Sequence, residues 1–460
     1  MSDTAFNSLP LAPEVLRNLE SLGYHEMTAI QAQSLPITLQ GQDLIGKAKT
    51  GSGKTAAFGL PLITKLNPRC FGVQSLVLCP TRELSAQVAD EIRRLARQLP
   101  NIKVLSICGG QPIGPQIGSL EHGAHVVVGT PGRIKDHLRK GTLKIDQVET
   151  FVLDEADRML DMGFIDDIIT ISEQLPNNRQ TLLFSATFPE DIRKLSERFQ
   201  RNPSIVEVES THAPLQISQQ FYRVDKDQKD QALIRLLAHH KPAHAVIFCN
   251  TKQVCNDVAD MLRNEQYLVL PLQGDMEQRD RDQTLVRFSN RSISLLVATD
   301  VAARGIDIDD LDAVINYDLP WDPEVYIHRI GRTGRAGNKG AAFSLCAEGE
   351  QARHELINSM QEQNIGITDI NSLPQHARST PEKPAMVTLS IDGGKKDKIR
   401  PTDILGALTG AIGLNGNDVG KITIFPFVTY VAVNRSVAKT ALAGLQDGKI
   451  KGRKFQVRRF

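Results

Sequence analysis

Ala48-Lys49-Thr50-Gly51-Ser52-Gly53-Lys54-Thr55 lies between an apolar segment, Asp43-Leu44-Ile45, and a helix-forming one, Ala56-Ala57-Phe58. A glycine-rich turn between strand and helix turns its backbone N–H groups toward an anion, and the helix N-terminus adds a favourable dipole. The pattern predicts a loop for the phosphates of a nucleoside triphosphate, formed by Thr50, Gly51, Ser52 and Gly53. Lys54 would reach the terminal phosphates, and the Thr55 hydroxyl would ligate Mg²⁺. The strict pattern has Gly where this chain has Ala48. The answering element is Asp154-Glu155-Ala156-Asp157, after the apolar run Phe151-Val152-Leu153. Such a run reads as a buried strand that delivers carboxylates at its C-terminal end. Asp154 is placed to hold Mg²⁺ through water and Glu155 to orient an attacking water. Either stretch alone could be an ordinary turn; together they predict the two halves of one nucleotide site.

A chain of 460 residues has room for about three domains. Its 41% hydrophobic and 23% charged content is ordinary for a soluble globular protein. No apolar run approaches the roughly 18 residues of a membrane span. The start, Met1-Ser2-Asp3-Thr4-Ala5, lacks the basic and apolar regions of an export signal, so a cytoplasmic location is expected. Cys70, Cys79, Cys108, Cys249, Cys255 and Cys346 show neither C-x-x-C pairing nor zinc spacing, and read as reduced core residues. The net charge of +1 hides an asymmetry. Residues 385–460 hold 13 Lys+Arg against 5 Asp and no Glu, a net of +8, so the rest carries −7. A basic segment on a mildly acidic body predicts an appended module for a polyanion.

Residues 1–205 alternate short apolar runs with helix-length segments: 75–79, 104–108, 125–128, 151–153 and 181–184. That order predicts βα units in a mostly parallel sheet, with ligands beyond the carboxyl ends of the strands. A linker is expected over 206–217. A second βα series fills 218–367, with strands at 245–249, 267–270, 294–297 and 313–316 and no phosphate loop. Two α/β domains with one nucleotide loop imply a site completed across a cleft. The Pro-, Ser- and Thr-containing stretch 368–384 reads as another linker. Beyond it, 385–460 follows the order β-α-β-β-α-β, the ferredoxin-like plan of RNA-recognition motifs.

The motifs, taken in order, resemble those of the DEAD-box RNA helicases from residue 6 to about 350. The resemblance implies an α/β fold of two RecA-like parallel-sheet domains in tandem, followed by an α+β module. It also implies a hydrolase that uses ATP and Mg²⁺ to act on RNA. Phe6, Tyr24 and Gln31 are similar to the family's adenine-reading motif, Gly23-Tyr24-His25-Glu26-Met27-Thr28-Ala29-Ile30-Gln31, with Ala29 where Pro is usual. The planar amide of Gln31 carries a donor and an acceptor for the adenine edge. Pro80-Thr81-Arg82, Gly109-Gly110 and Thr130-Pro131-Gly132-Arg133 each follow an apolar strand. The resemblance makes Pro80, Arg82, Gly109, Gly110, Thr130, Gly132 and Arg133 RNA-backbone contacts, a role such loops suit. Ser185-Ala186-Thr187 resembles the element that couples nucleotide to RNA. In the second domain, Gln278-Arg279-Asp280-Arg281 and Ala298-Thr299-Asp300-Val301-Ala302-Ala303-Arg304-Gly305-Ile306-Asp307 match the RNA-facing and interdomain motifs. Arg281 and Thr299 would then face RNA, and Gly305 and Asp307 the nucleotide. His328-Arg329-Ile330-Gly331-Arg332-Thr333-Gly334-Arg335 places Arg332 and Arg335 as arginine fingers, so that Lys54, Asp154, Glu155, Arg332 and Arg335 make up the catalytic set.

In the tail, the central run Val428-Thr429-Tyr430-Val431-Ala432-Val433 offers one aromatic and Met386–Ile391 none, which argues against base stacking on the sheet face. Binding is expected through the basic loops, with Lys395, Lys396, Lys398, Lys451 and Arg453 as contacts. Ile391-Asp392-Gly393-Gly394-Lys395-Lys396, Asp403–Gly410 and Gly448-Lys449-Ile450-Lys451-Gly452 are similar to the bacterial DbpA group. That resemblance implies a tail that holds a hairpin in the peptidyl-transferase region of 23S ribosomal RNA, in an enzyme of large-subunit assembly. The expected activity is local unwinding of short RNA duplexes; an ATP-dependent clamp or scaffold without unwinding is the alternative.

Overall fold

The computed structural model describes residues 4–460 apart from 49–50, 189, 209–216, 304–310, 335–339, 362 and 375–380. The chain divides into two compact units, residues 1–212 and 213–460. In the first, β1 (Leu44–Lys47), β2 (Ser75–Leu78), β3 (Val104–Ile107), β4 (Val126–Gly129), β5 (Thr150–Asp154), β6 (Gln180–Ser185) and β7 (Ser204–Glu207) form one parallel sheet. Their order is β3-β4-β2-β5-β6-β1-β7. Alternate residues of a strand point to opposite faces, and both faces are covered here. Val152, Leu182 and Phe184 pack into one core, Phe151, Leu153 and Leu183 into the other. Strands buried on both sides read as continuous apolar runs, which is why β2, β4, β5 and β6 stand out in the sequence.

The order of strands sorts the motifs. The phosphate loop leaves β1, the Asp154 turn leaves β5, and Ser185-Ala186-Thr187 leaves β6; these three strands are neighbours. The loops at 80–82, 109–110 and 130–133 leave β2, β3 and β4, which are neighbours on the other half of the sheet. One sheet thus carries a nucleotide half and a half for a second ligand.

The second unit opens with β8 (Ile217–Val224), β9 (Ala245–Cys249), β10 (Val269–Leu272), β11 (Leu295–Thr299), β12 (Ala313–Asn316), β13 (Gly340–Ala347) and β14 (Ile367–Asp369). These form a parallel sheet of order β10-β11-β9-β12-β13-β8-β14. The stretch expected as a linker from 368 is folded in its first part. β14 pairs with β8, a 3₁₀ turn follows over Ile370–Ser372, and Ile370 is buried in the core. An edge strand with one anchoring Ile among polar residues has the composition of a linker. Most of the linker expected at 206–217 lies outside the described residues.

The C-terminal module is an antiparallel sheet of β15 (Met386–Ile391), β16 (Val419–Ile424), β17 (Thr429–Asn434) and β18 (Val457–Arg459), in the order β16-β17-β15-β18. Val387, Leu389, Ile391, Val431 and Val433 face its core with the Ala438–Asp447 helix. The opposite face carries Thr388, Ser390, Tyr430 and Ala432 in register. That face lies against the parallel-sheet domain of the same unit. Thr388 is fully buried, and its hydroxyl meets Asn290 Nδ2 at 3.2 Å and Ser292 Oγ at 2.7 Å. The Arg287 guanidinium stands 5.1 Å over the Phe460 ring. Burial raises the pKa of Tyr430, with Arg279 and Asp282 of the Gln278–Ser289 helix close enough to act on it. The module is therefore docked by its sheet face.

All six cysteines are free thiols, five of them buried. Among the described residues no helix is long and apolar enough to cross a membrane, and no three His, Cys, Asp or Glu side chains cluster as metal ligands.

Candidate nucleotide and RNA site

The phosphate loop turns back on itself. Gly51 and Gly53 are left-handed, at φ 83 and 94, and the Lys54–Lys65 helix starts directly after Gly53. The Lys54 ammonium is buried and donates to Ala48 O at 2.9 Å. Backbone rather than side chain is what position 48 contributes, so the Ala48 methyl is tolerated. Ala48 N donates in turn to Ser185 O at 3.0 Å, tying the loop to the end of β6. Gln31 is buried; its Oε1 accepts from Thr28 N at 2.9 Å and its Nε2 donates to Gly53 O at 3.0 Å. A primary amide retains a second N–H and a second lone pair, so this residue can brace the loop and still pair with a base edge. Phe6 packs edge-on against Tyr24 at 6.1 Å, and the Tyr24 hydroxyl donates to Glu91 at 2.7 Å. Burial, then that bond, raises the Tyr24 pKa.

Asp154 ends β5 and is 3% exposed. Burial pushes its carboxyl up to about 7, against the pull of Lys54 and with the push of Glu155. Its Oδ1 is buried without a hydrogen-bond partner, as is Ser52 Oγ. Unsatisfied buried oxygens beside an ammonium fit a site that a cation and phosphate would complete. Glu155 adopts φ 55 and is held by Arg158 Nη1 at 2.5 Å, a buried pair.

Asp157 and Arg158 are the site residues that sequence reasoning passed over. Asp157 Oδ2 accepts from Ala186 N at 3.0 Å, Thr187 N at 2.9 Å and Thr187 Oγ1 at 3.1 Å. The acidic turn and Ser185-Ala186-Thr187 are thus one clamp. Acid at the fourth position of the turn was the available signal. Asp157→Asn should cut the ratio of RNA-stimulated to unstimulated turnover about tenfold. It removes charge-assisted bonds worth about 1.5–3 kcal/mol each while leaving the loop intact. Paired steady-state assays check this; an unchanged ratio removes the clamp from the coupling path.

On the other half of the sheet, the Arg82 guanidinium lies over Gly110, whose φ is 74; any Cβ there would overlap it. Thr81 caps the Arg82–Leu95 helix through Leu84 N at 3.2 Å. Arg133 donates to Gln111 O at 3.0 Å and Gln116 Oε1 at 2.9 Å, joining the loops after β3 and β4. Pro80 is buried; Arg82, Gly109, Gly110, Thr130, Gly132 and Arg133 reach solvent.

In the second unit, Arg329 is 2% exposed and grips Asp300 with two bonds of 2.6 and 2.7 Å. It also donates to Asn316 Oδ1, Asp318 O and Asn250 Oδ1. Arg329 and Asn250 form a framework that sequence reasoning did not distinguish from its neighbours. Arg332 follows one turn later, 8% exposed, with its N–H on Arg329 O. Arg281 donates to Ala302 O at 2.7 Å, and Thr299 is buried at the end of β11. Thr50, Gly305, Asp307 and Arg335 lie outside the described residues. In the docked module Lys395, Lys396, Lys398, Lys451 and Arg453 are all exposed.

Comparison with known proteins gives three family matches: DEAD/DEAH box helicase over residues 28–195, helicase conserved C-terminal domain over 228–337, and DbpA RNA binding domain over 388–459. The chain is 54% identical to the ATP-dependent RNA helicase DbpA of Escherichia coli over 99% of both chains. It is 47% identical to the DEAD-box ATP-dependent RNA helicase CshA of Geobacillus kaustophilus, over 74% of this chain and 73% of that one. Among solved structures, S. cerevisiae Dbp5 bound to RNA and ADP BeF3 matches with a TM-score of 0.70 at 31% identity, over 80% of this chain and 95% of that one.

Proposed function

The chain belongs to the DEAD-box ATP-dependent RNA helicases, in the DbpA group, and on that basis we propose how its residues divide the work. Gly51 to Gly53 cradle the phosphates and Lys54 meets the terminal ones; Gln31 reads the adenine edge beside the Phe6–Tyr24 pair. Thr55, and Asp154 through water, would hold Mg²⁺, which supplies charge neutralisation of the β- and γ-phosphates when bound. Glu155, steadied by Arg158, orients the water that attacks the γ-phosphate. Arg332 and Arg335 complete the site as fingers from the second domain, with Gly305 and Asp307 on the ribose side.

RNA is held by Arg82, Gly109, Gly110, Thr130, Gly132 and Arg133 on the first domain and by Arg281 and Thr299 on the second. RNA and ATP each favour the assembled state, and by linkage each strengthens the other. Base-pair stacking averages about 1.4 kcal/mol per DNA step, so one hydrolytic cycle suits melting of short RNA helices. The docked module, through its basic loops, targets this activity to a hairpin of 23S ribosomal RNA during assembly of the large subunit, in the cytoplasm.

The observation that carries this reading is the clamp from Asp157 to Ala186 and Thr187. It joins the acidic turn that carries Asp154 and Glu155 to the Ser185-Ala186-Thr187 turn at hydrogen-bond distance. Its test is ATP turnover and strand displacement on a short duplex, with and without the 23S hairpin attached. The hairpin should raise both activities. Deleting 385–460 should erase that preference and leave stimulation by unstructured RNA. The face uncovered by the deletion is polar (Arg287, Asn290, Ser292), so the core should stay soluble. Turnover indifferent to RNA, or equal preference before and after the deletion, would refute the proposal.

A further inference from the structure

The β16–β17 hairpin turns through Phe425-Pro426-Phe427-Val428, closed by Phe425 N donating to Val428 O at 2.8 Å. Phe425 points inward, edge-on to Tyr430 at 5.8 Å. Phe427 points outward and is 70% exposed. This turn is braced. Lys395 N donates to Phe425 O and Lys396 N to Pro426 O, both at 2.9 Å. Gly394 approaches so closely that a Cβ there would overlap the Phe425 carbonyl. Asp397 accepts from Gly394 N at 3.0 Å and closes the short turn beneath. The turn that bears the outward ring is therefore braced by the 394–397 segment rather than left as a free loop.

Its surroundings are cationic. Lys396 Nζ sits 5.7 Å from the Phe427 centroid. Lys451 Nζ donates to Lys398 O at 2.9 Å, with Asp403 3.9 Å away, and so draws the loop that bears Arg453 alongside. Meanwhile the sheet face that stacks bases in other folds of this plan is taken, since Thr388 and Tyr430 are buried against the helicase domain. A rigid aromatic face beside ammonium groups suits a nucleotide whose base has left its helix. The base lies on the ring and the phosphate meets the cations.

We propose that Phe427 is the stacking platform for one unpaired base of the structured RNA, with Lys395 and Lys396 on the phosphates beside it. This rests on the reading of the module as the holder of the 23S hairpin. The test titrates the full chain with that hairpin, each loop nucleotide replaced in turn by an abasic one, using the parent, Phe427→Ala and Phe427→Trp. By the usual size of base–aromatic stacking, Phe427→Ala should bind roughly 5- to 150-fold more weakly, and Phe427→Trp about as tightly as the parent. One abasic position should weaken the parent by a similar factor and leave Phe427→Ala untouched. Salt dependence separates the roles: Phe427→Ala keeps the parent's slope, and Lys396→Ala makes it shallower by about 0.7–0.9. Circular dichroism confirms that the exposed substitution leaves the fold intact. Equal affinity of Phe427→Ala and parent overturns the platform, as does an abasic penalty identical in both proteins at every position. A parent that binds the hairpin no better than a scrambled RNA refutes the targeting reading first, and the platform with it.

Discussion

Arg332→Ala should lower RNA-stimulated ATP turnover by about three orders of magnitude or more, with ATP affinity changed by only a few-fold. An arginine finger contributes roughly 10³ to 10⁵ in rate, which is about 4–7 kcal/mol of barrier. It acts on charge that develops in transfer, so ground-state binding is spared. The contrast is Arg329, three residues earlier in the same motif. Its guanidinium is spent on Asp300, Asn316, Asp318 and Asn250, and none of it is offered outward. Removing it takes the partner from the half-buried Asp300 and the buried Asn316 at once, a loss of up to about 3–5 kcal/mol, so Arg329→Ala should melt earlier instead of failing selectively in the chemical step. Single-turnover hydrolysis, nucleotide titration and thermal unfolding on the two variants separate the roles. Turnover of Arg332→Ala within tenfold of the parent would remove it from the finger role.

Glu155→Gln should slow hydrolysis by about 10² to 10⁴, the range for loss of a positioned general base. The substitution keeps the shape of the side chain and the left-handed turn it sits on, and it loses charge against Arg158. Nucleotide and RNA should still bind together, so the variant should accumulate as a long-lived ternary complex. Pull-down of labelled RNA in the presence of ATP measures this directly. Turnover reduced less than tenfold, or RNA released as fast as from the parent, would count against the assignment.

The parts of this molecule that were legible in its sequence are those where one local rule dominates. β2, β4, β5 and β6 are buried along their whole length and so carry apolar runs, and the glycine turn at 51–53 and the acidic turn at 154–157 are set by short-range geometry. β13 was harder to see because Gly340-Ala341-Ala342 packs by being small. It pairs with β8 along eight residues, yet β8 begins Ile217-Ser218-Gln219-Gln220, a polar run without the alternation of a strand. Burial was invisible too. Arg329 and Arg332 look alike in sequence, and the partners gripped by the Arg329 guanidinium mark that residue as framework. Asp157 was hidden for the opposite reason, since its partners at 186 and 187 lie about thirty residues away. Phe427 escaped notice because a single aromatic in a turn reads as ordinary hairpin chemistry until its exposure and its lysine neighbour are known.

The docking of Thr388 onto Asn290 and Ser292 has a geometric consequence. A gripping device on a slack cord would let its engine strike any helix within a sphere around the hold. Fixed by its sheet to the second lobe, the grip subtracts that freedom of swing and leaves a single bearing. The choice of which RNA helix is opened then becomes a matter of direction from the hold, set by a buried threonine as much as by any residue that touches RNA.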